Sequence, residues 1–234
     1  MKRFYSQNIQ QNFIYLENDE AQHCSKVLRC KINDIVEVLD GKGKMYEGTI
    51  SSIQKQEVLI QIQEIKKQET AQKNKLSIAI CPTKNPARLE WFLEKATEIG
   101  IDSIFPIISK RTEKQNIKFE RLQHIIVSAA KQSGQLHFPI LHPLQPLETL
   151  LSTANFSQKF IAHCETEKQH LKDIYTPNKE VLVLIGPEGD FTSDEIKNAL
   201  NKNYQPISLG NSILRVETAG VVACVTIQNI NHNL

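Results

Sequence analysis

The sequence predicts an α/β protein, a parallel sheet with helices on both faces, preceded by a small β-barrel. Three observations carry this. From residue 76 onward, short apolar runs alternate with helical stripes. Residues 1–65 instead hold several short strand-like runs with turn signals and one helix. Between them, residues 66–75 (KKQETAQKNK) contain no large apolar side chain and read as a linker, giving domains at 1–70 and 76–234.

Each element has its own signal. Asn12–Leu16 (NFIYL) is β-like, and Asn18, with Asp19 and Glu20 behind it, reads as the cap of a helix through Arg29. Strands follow at Asp34–Leu39, Met45–Ile53 and Glu57–Ile65, the first two joined by a Gly41-Lys42-Gly43 turn. Leu76–Cys81 is a short apolar strand. Asn85-Pro86 starts a helix whose stripe is Leu89, Phe92, Leu93, Ala96 and Ile99, and Gly100 ends it. Trp91 lies off that stripe. Ser103–Ile108 is a strand, Phe119–Gln132 a helix, and 147–154 another helix after a Pro-rich connection. Gln158–His163 and Glu180–Ile185 are strands, and Thr192-Ser193-Asp194-Glu195 has capping-box spacing for a helix to about residue 201. Ile207–Leu209 is a last strand. Glu217–Ile230 is a last helix, apolar on nearly every side in its middle and so expected to be buried, in part against a second copy.

Composition narrows the function classes. No apolar run approaches the roughly 20 residues that span a bilayer. The basic start, Met1-Lys2-Arg3, lacks a following apolar segment, so no signal peptide and a cytoplasmic location are expected. Five scattered cysteines without CxxC argue against a disulfide framework or a cysteine-built zinc site. The seven histidines show no metal-ligand spacing, so no metal is expected. Net charge is only +2, but residues 110–131 carry six Lys/Arg against two acids, a local patch suited to a structured RNA or simply to solvent.

Two loops stand out, each after a strand, where open parallel sheets bind ligands. In Ile185-Gly186-Pro187-Glu188-Gly189-Asp190 the glycines permit close backbone approach. Without GK[ST], and with Asp190, Asp194 and Glu195 around the next helix start, the loop suits a neutral or cationic ligand better than a phosphate. A tight structural turn is the plain alternative. In Leu209-Gly210-Asn211-Ser212-Ile213-Leu214-Arg215-Val216-Glu217-Thr218-Ala219, the Ile-Leu pair could wall an adenine and Arg215 could hold an anion or pair with Glu217.

With those residues in view, the sequence resembles the bacterial small-subunit ribosomal RNA (uracil-N3)-methyltransferases of the SPOUT superfamily. The match runs through His23…Val27-Leu28-Arg29, through Arg88-Leu-Glu90-Trp91…Glu94-Lys95-Ala96-Thr97-Glu98-Ile-Gly100, and through the two loops, in order along nearly the whole chain. It departs at Asp190, where that family usually has a second Gly after GPEG, at Ser212, and at Lys131-Gln132-Ser133-Gly134-Gln135, where Arg is usual.

The resemblance implies a PUA-like barrel, a SPOUT domain with a deep C-terminal trefoil knot, and a homodimer. It implies S-adenosyl-L-methionine as cofactor and N3 methylation of a uridine near the decoding centre of 16S rRNA. Ribose 2′-O-methylation, or RNA binding without catalysis, are the alternatives. On this reading His163, Gly186, Pro187, Glu188, Gly189, Leu209, Gly210, Ile213, Leu214, Thr218 and Ala219 hold the cofactor. Arg215 stabilises the uracil anion, and Glu217 orients Arg215 or takes the proton. Arg3, Arg29, Lys42, Lys44, Lys110 and Arg111 contact RNA.

Overall fold

A computed structural model describes residues 1–70, 76–165 and 168–232. The chain divides into two compact units, Met1–Ala71 with Val127–Phe138, and Gln72–Ile126 with Pro139–Leu234.

In the first unit, strands β1 (Arg3–Tyr5), β2 (Ile9–Gln10) and β3 (Phe13–Glu17) precede a short helix, α1 (Asn18–Gln22). The helix continues as a π-helical turn, His23–Val27, and β4 (Ile35–Leu39), β5 (Lys44–Ile53) and β6 (Glu57–Gln68) follow. They form a six-stranded sheet in the order β1-β4-β5-β6-β3-β2, parallel at β1–β4 and antiparallel elsewhere. Ser6 joins the two sides of this sheet. Its amide donates to Leu39 O (3.1 Å) and its hydroxyl to Tyr15 O (2.5 Å). Alternate residues Ile14 and Leu16, Val36 and Val38, and Val58 and Ile60 fill the interior with Phe4 and Ile50.

Three expectations change here. Asn18 is not a cap: it stands at φ +49°, its amide donates to Gln56 O, and the cap position, Glu17, makes no side-chain bond. Short β1 and β2 carry too few residues to show a period. The 66–75 segment is not all linker, because β6 runs to Gln68. The Lys66 ammonium reaches Glu37 (2.8 Å) and Glu47 (3.1 Å), so a polar strand end is held by ion pairs instead of a core. The rest of that linker, 71–75, lies outside the described residues.

The second unit alternates as expected. It comprises β7 (Leu76–Ile80), α2 (Pro86–Ile99), β8 (Ser103–Ile108), α3 (Phe119–Ser133, whose end belongs to the first unit), β9 (Ile140–Leu141), β10 (Gln145–Pro146) and α4 (Leu147–Thr153). Then come β11 (Gln158–Ala162), β12 (Gln169–His170), α5 (Leu171–Ile174), β13 (Val181–Ile185), α6 (Ser193–Asn201), β14 (Gln205–Ser208) and α7 (Val216–His232). The strands are parallel in the order β10-β8-β7-β13-β11-β14-β12, with β9 also on β8.

Both faces of this sheet are covered, which is why β7 and β13 are apolar at nearly every position. Ile78, Ile80, Val181, Val183 and Ile185 pack with Phe92 and Leu93 of α2 and Ala223 and Ile227 of α7. Ala79, Leu182 and Leu184 pack on the opposite side with Leu147, Leu150, Ile196 and Ala199. Asn85 caps α2 by accepting from the Ala87 amide (3.1 Å), and Gly100 closes it at φ +95°. Gly220 sets the approach of α7 to α2, since a Cβ there would fall 2.5 Å from the Phe92 ring. Among the described residues no helix is long and apolar enough to cross a membrane.

Candidate functional site

Three strands, β13, β11 and β14, end side by side, and their following loops enclose a cavity of about 480 Å³. The strand order alone brings residues 162–164, 185–190 and 207–219 together.

The loop after β13 is tied down at almost every residue. Gly186 and Pro187 are buried, and a Cβ on Gly186 would sit 3.1 Å from the Phe191 ring. Glu188 Oε1 accepts from the Lys84 amide (3.0 Å). The Arg111 guanidinium donates to Gly189 O (2.8 Å) and Phe191 O (3.4 Å). Asp190 stands at φ +60°, the left-handed region that Gly, Asn and Asp tolerate. Its Oδ2 accepts from the Cys164 amide and its Oδ1 from the Phe191 amide, both at 2.7 Å. This aspartate therefore fills the backbone role of a glycine and also staples two of the three loops. Thr192 and Glu195 complete the capping box of α6.

The loop after β14 is different. Gly210 at φ +146° has nothing within 4 Å of where a Cβ would stand. The side-chain bonds at its start are local, between Ser208 Oγ and the Gly210 amide and carbonyl. Ile213 is 87% exposed, and the exposed Arg215 guanidinium makes no bond or ion pair with a described residue.

His163, after β11, lines the cavity with both ring nitrogens sealed from solvent and without a partner among the described residues. Burial, with the Lys168 ammonium nearby, holds its imidazole below the ordinary value of 6.5, so the ring is neutral. Burial and the Asp190 carboxylate push the Cys164 thiol up, which keeps it protonated.

Of the expected cofactor residues, His163, Gly186, Pro187, Glu188, Leu209, Gly210, Ile213, Leu214 and Ala219 line this cavity, as does Arg215. Gly189 and Thr218 do not. Thr218 and Glu217 line an adjoining hollow of about 320 Å³ with Arg88, Trp91 and Arg215. Glu217 faces Arg88 (Nε to Oε1, 3.7 Å), not Arg215, and its buried Oε2 has no partner among the described residues. The pairing differs from expectation because α2 and α7 pack directly, which brings residues 88 and 217 together across the chain.

The expected RNA contacts divide by what each side chain already holds. Arg3 is engaged with Glu37 (3.1 Å) and Lys131 O (2.6 Å), and Arg111 with the loop after β13. The Lys110 ammonium lies 3.8 Å from Asp194. Arg29 and Lys42 are exposed, and Lys44 is half-buried. Arg88, Lys84 and the stapling role of Asp190 had no separate signal. Only the left-handed tolerance of Asp in a Gly-rich turn hinted at the last.

Residues 70–228 match the family model of the RNA methyltransferase domain, and residues 16–63 that of the RNA methyltransferase PUA domain. A ribosomal RNA small subunit methyltransferase E from Rickettsia conorii is 31% identical over 220 residues, covering 92% of this chain and 89% of the relative. A probable rRNA-methyltransferase from Porphyromonas gingivalis superposes with a TM-score of 0.90 at 35% identity, over 100% of this chain and 99% of that one. A ribosomal RNA small subunit methyltransferase E from Neisseria gonorrhoeae, solved bound to S-adenosyl methionine, superposes at a TM-score of 0.85 and 28% identity over 98% of each chain. With the family model matched over more than half its length and the three strand-end loops in place, the chain belongs to the ribosomal RNA small subunit methyltransferase E family of RNA methyltransferases.

Proposed function

We propose that this protein uses S-adenosyl-L-methionine to methylate N3 of a uridine near the decoding centre of 16S rRNA, in the cytoplasm and as a homodimer. The observation that carries this reading is the cavity between three strand ends with Arg215, which has no side-chain partner among the described residues, on its wall. The cavity's residues fit the cofactor. Its lining combines glycine backbone, an apolar Leu209–Ile213–Leu214 side, an imidazole whose two nitrogens have no partner among the described residues, and the Glu188 and Asp190 carboxylates. That set favours a nucleoside carrying a positive charge.

When bound, S-adenosylmethionine supplies an electrophilic methyl group on its sulfonium sulfur. The protein's own work is placement and charge. Backbone at Gly186, Leu209 and Gly210 and the rings of Pro187 and His163 hold the nucleoside. Uracil N3 carries a proton, and giving that proton up to an acceptor leaves the ring anionic, with the charge shared by its carbonyl oxygens. Arg215, without a side-chain partner among the described residues, donates to the oxygen where that charge collects. Glu217, paired through Oε1 with Arg88, carries a buried Oε2 without a partner among the described residues, and this oxygen serves as an acceptor for the Arg215 guanidinium or for the N3 proton once the site closes on its ligands. N3 lies on the pairing edge, so the target base is taken unpaired.

The remaining parts follow the family. The chain end forms the deep trefoil knot of a SPOUT domain, and residues 1–70 act as the RNA-gripping barrel through Arg29, Lys42 and Lys44. The second copy covers α7, where Val225 is 38% exposed, and Trp91, which is 43% exposed.

The test is methyl transfer from labelled S-adenosylmethionine to small ribosomal subunits from a strain lacking this modification, followed by nucleoside mass spectrometry. Label in 3-methyluridine is the expected result. Label in a ribose-methylated nucleoside, or none with folded protein, overturns it.

A further inference from the structure

A second cavity, of about 310 Å³, opens beside the first in the catalytic unit. Its floor is apolar: Pro82, Pro86, Leu89, Ile117 and Leu122. Pro82 and Thr83 follow β7, the strand next to β13, and the Lys84 amide bonds Glu188 of the loop after β13 (3.0 Å). The two cavities thus stand over neighbouring strand ends, tied by that bond.

One wall is a fixed guanidinium. Arg121 donates from Nε and Nη2 to the two oxygens of Glu90 (2.5 and 2.9 Å), yet its side chain stays 61% exposed. A bidentate pair holds the guanidinium in one plane, and an exposed guanidinium plane is a surface on which a nucleobase stacks. The pair also cancels the Glu90 charge. What is left on the rim is positive: Lys114 and Lys118, neither ion-paired with a described residue. An apolar slot of this size, at the small end of the roughly 300–1,000 Å³ of ligand sites, suits one flat ring system. Two ammonium groups beside it suit the phosphates on either side of that ring.

We infer that this cavity docks an unpaired nucleotide of the RNA substrate other than the methylated uridine. Its base lies against Arg121 and the apolar floor, and its flanking phosphates meet Lys114 and Lys118. The inference rests on the RNA-methylating reading above and adds where that RNA is held. The basic 110–131 patch is thereby resolved into parts. Lys110 and Arg111 are turned to the α6 start and the loop after β13, whereas Lys114, Lys118 and Arg121 face this slot.

Two measurements test it, and the first needs no turnover. Unmodified wild-type protein is ultraviolet cross-linked to small ribosomal subunits, and the cross-linked peptides are mapped by mass spectrometry. Cross-links within 82–90 or 114–122 are expected, and their absence, with cross-links found elsewhere, overturns the site. The second is kinetic. Lys114→Ala with Lys118→Ala should raise KM for the subunits about tenfold, and should lower the slope of log affinity against log salt by roughly 1.4 for two lost phosphate contacts. kcat and the Kd for S-adenosylmethionine should stay unchanged. Arg121→Lys keeps the charge and loses the plane, so a raised KM there supports stacking, and an unchanged KM refutes it. A wild type that cross-links at the slot yet transfers no methyl group would sink the reaction reading and leave the docking site standing.

Discussion

The two loops that face each other across the main cavity are built on opposite principles. In the loop after β13, Glu188, Gly189 and Asp190 each hold a bond to a segment distant in sequence, through Lys84, Arg111 and Cys164. In the loop after β14, the side-chain bonds of Ser208 stay within two residues, Ile213 faces water, and the Arg215 guanidinium has no partner among the described residues. The first is a finished wall whose shape is set by folding. The second keeps its apolar and cationic groups unspent, so their contacts are available to ligands. Only an interaction that is stronger in the transition state than in the ground state speeds the chemical step, and a cation not committed elsewhere can make one.

The largest expected effect breaks the second loop's chemistry. Arg215→Ala should lower kcat by roughly 10²–10³-fold, the usual loss for one preorganised donor, with little change in the Kd for S-adenosylmethionine by calorimetry. Unchanged turnover would remove Arg215 from the chemistry.

The next breaks the first loop. Asp190→Ala loses two short bonds and leaves at φ +60° a residue without the polar side chain that makes this conformation tolerable, so chemical denaturation should show a loss of about 1–3 kcal/mol and cofactor binding should weaken. Asp190→Gly restores the backbone freedom but not the staple, and should fall between wild type and Asp190→Ala. Equal losses for both variants would show that the staple alone matters.

A third, smaller effect is in pH. The folded protein keeps His163 neutral below its ordinary value of 6.5, whereas the unfolded chain takes up a proton there. Stability from this site is complete above pH 6.5 and is lost as pH falls through that value toward the lower folded pKa. His163→Asn should flatten that part of the stability profile.

The smallest effect sharpens the contrast. Ile213→Ser should change stability by less than about 0.5 kcal/mol, because the side chain is already in water. A rise in the Kd for S-adenosylmethionine in the same variant would show that Ile213 becomes covered only when the cofactor binds.

Much of this architecture was legible in the chain. The apolar runs at 76–81 and 181–185, the Asn85-Pro86 start, the Gly100 stop and the Thr192–Glu195 capping box are local signals, and local signals survive folding. The two loops were legible as candidates because they follow buried strands. What failed were readings that depend on partners. Asn18 has the chemistry of a cap, but its backbone is held by Gln56. Lys66 looks like linker, but Glu37 and Glu47 hold it in a strand. Glu217 is two residues from Arg215, yet it pairs with Arg88.

The sequence by itself determined the alternation of strands and helices, the burial of the central strands and the residue types at their ends. Periodicity, capping and turn chemistry act over a few residues and need no distant partner. Only the tertiary structure decided which of those residues are spent and which are free. Strand order placed Cys164 beside Asp190 and set Arg111 against Gly189, while the packing of α2 on α7 gave Glu217 to Arg88. Those pairings span 26 to 129 residues of chain, and contacts of that separation follow from the fold, not from any neighbouring pattern.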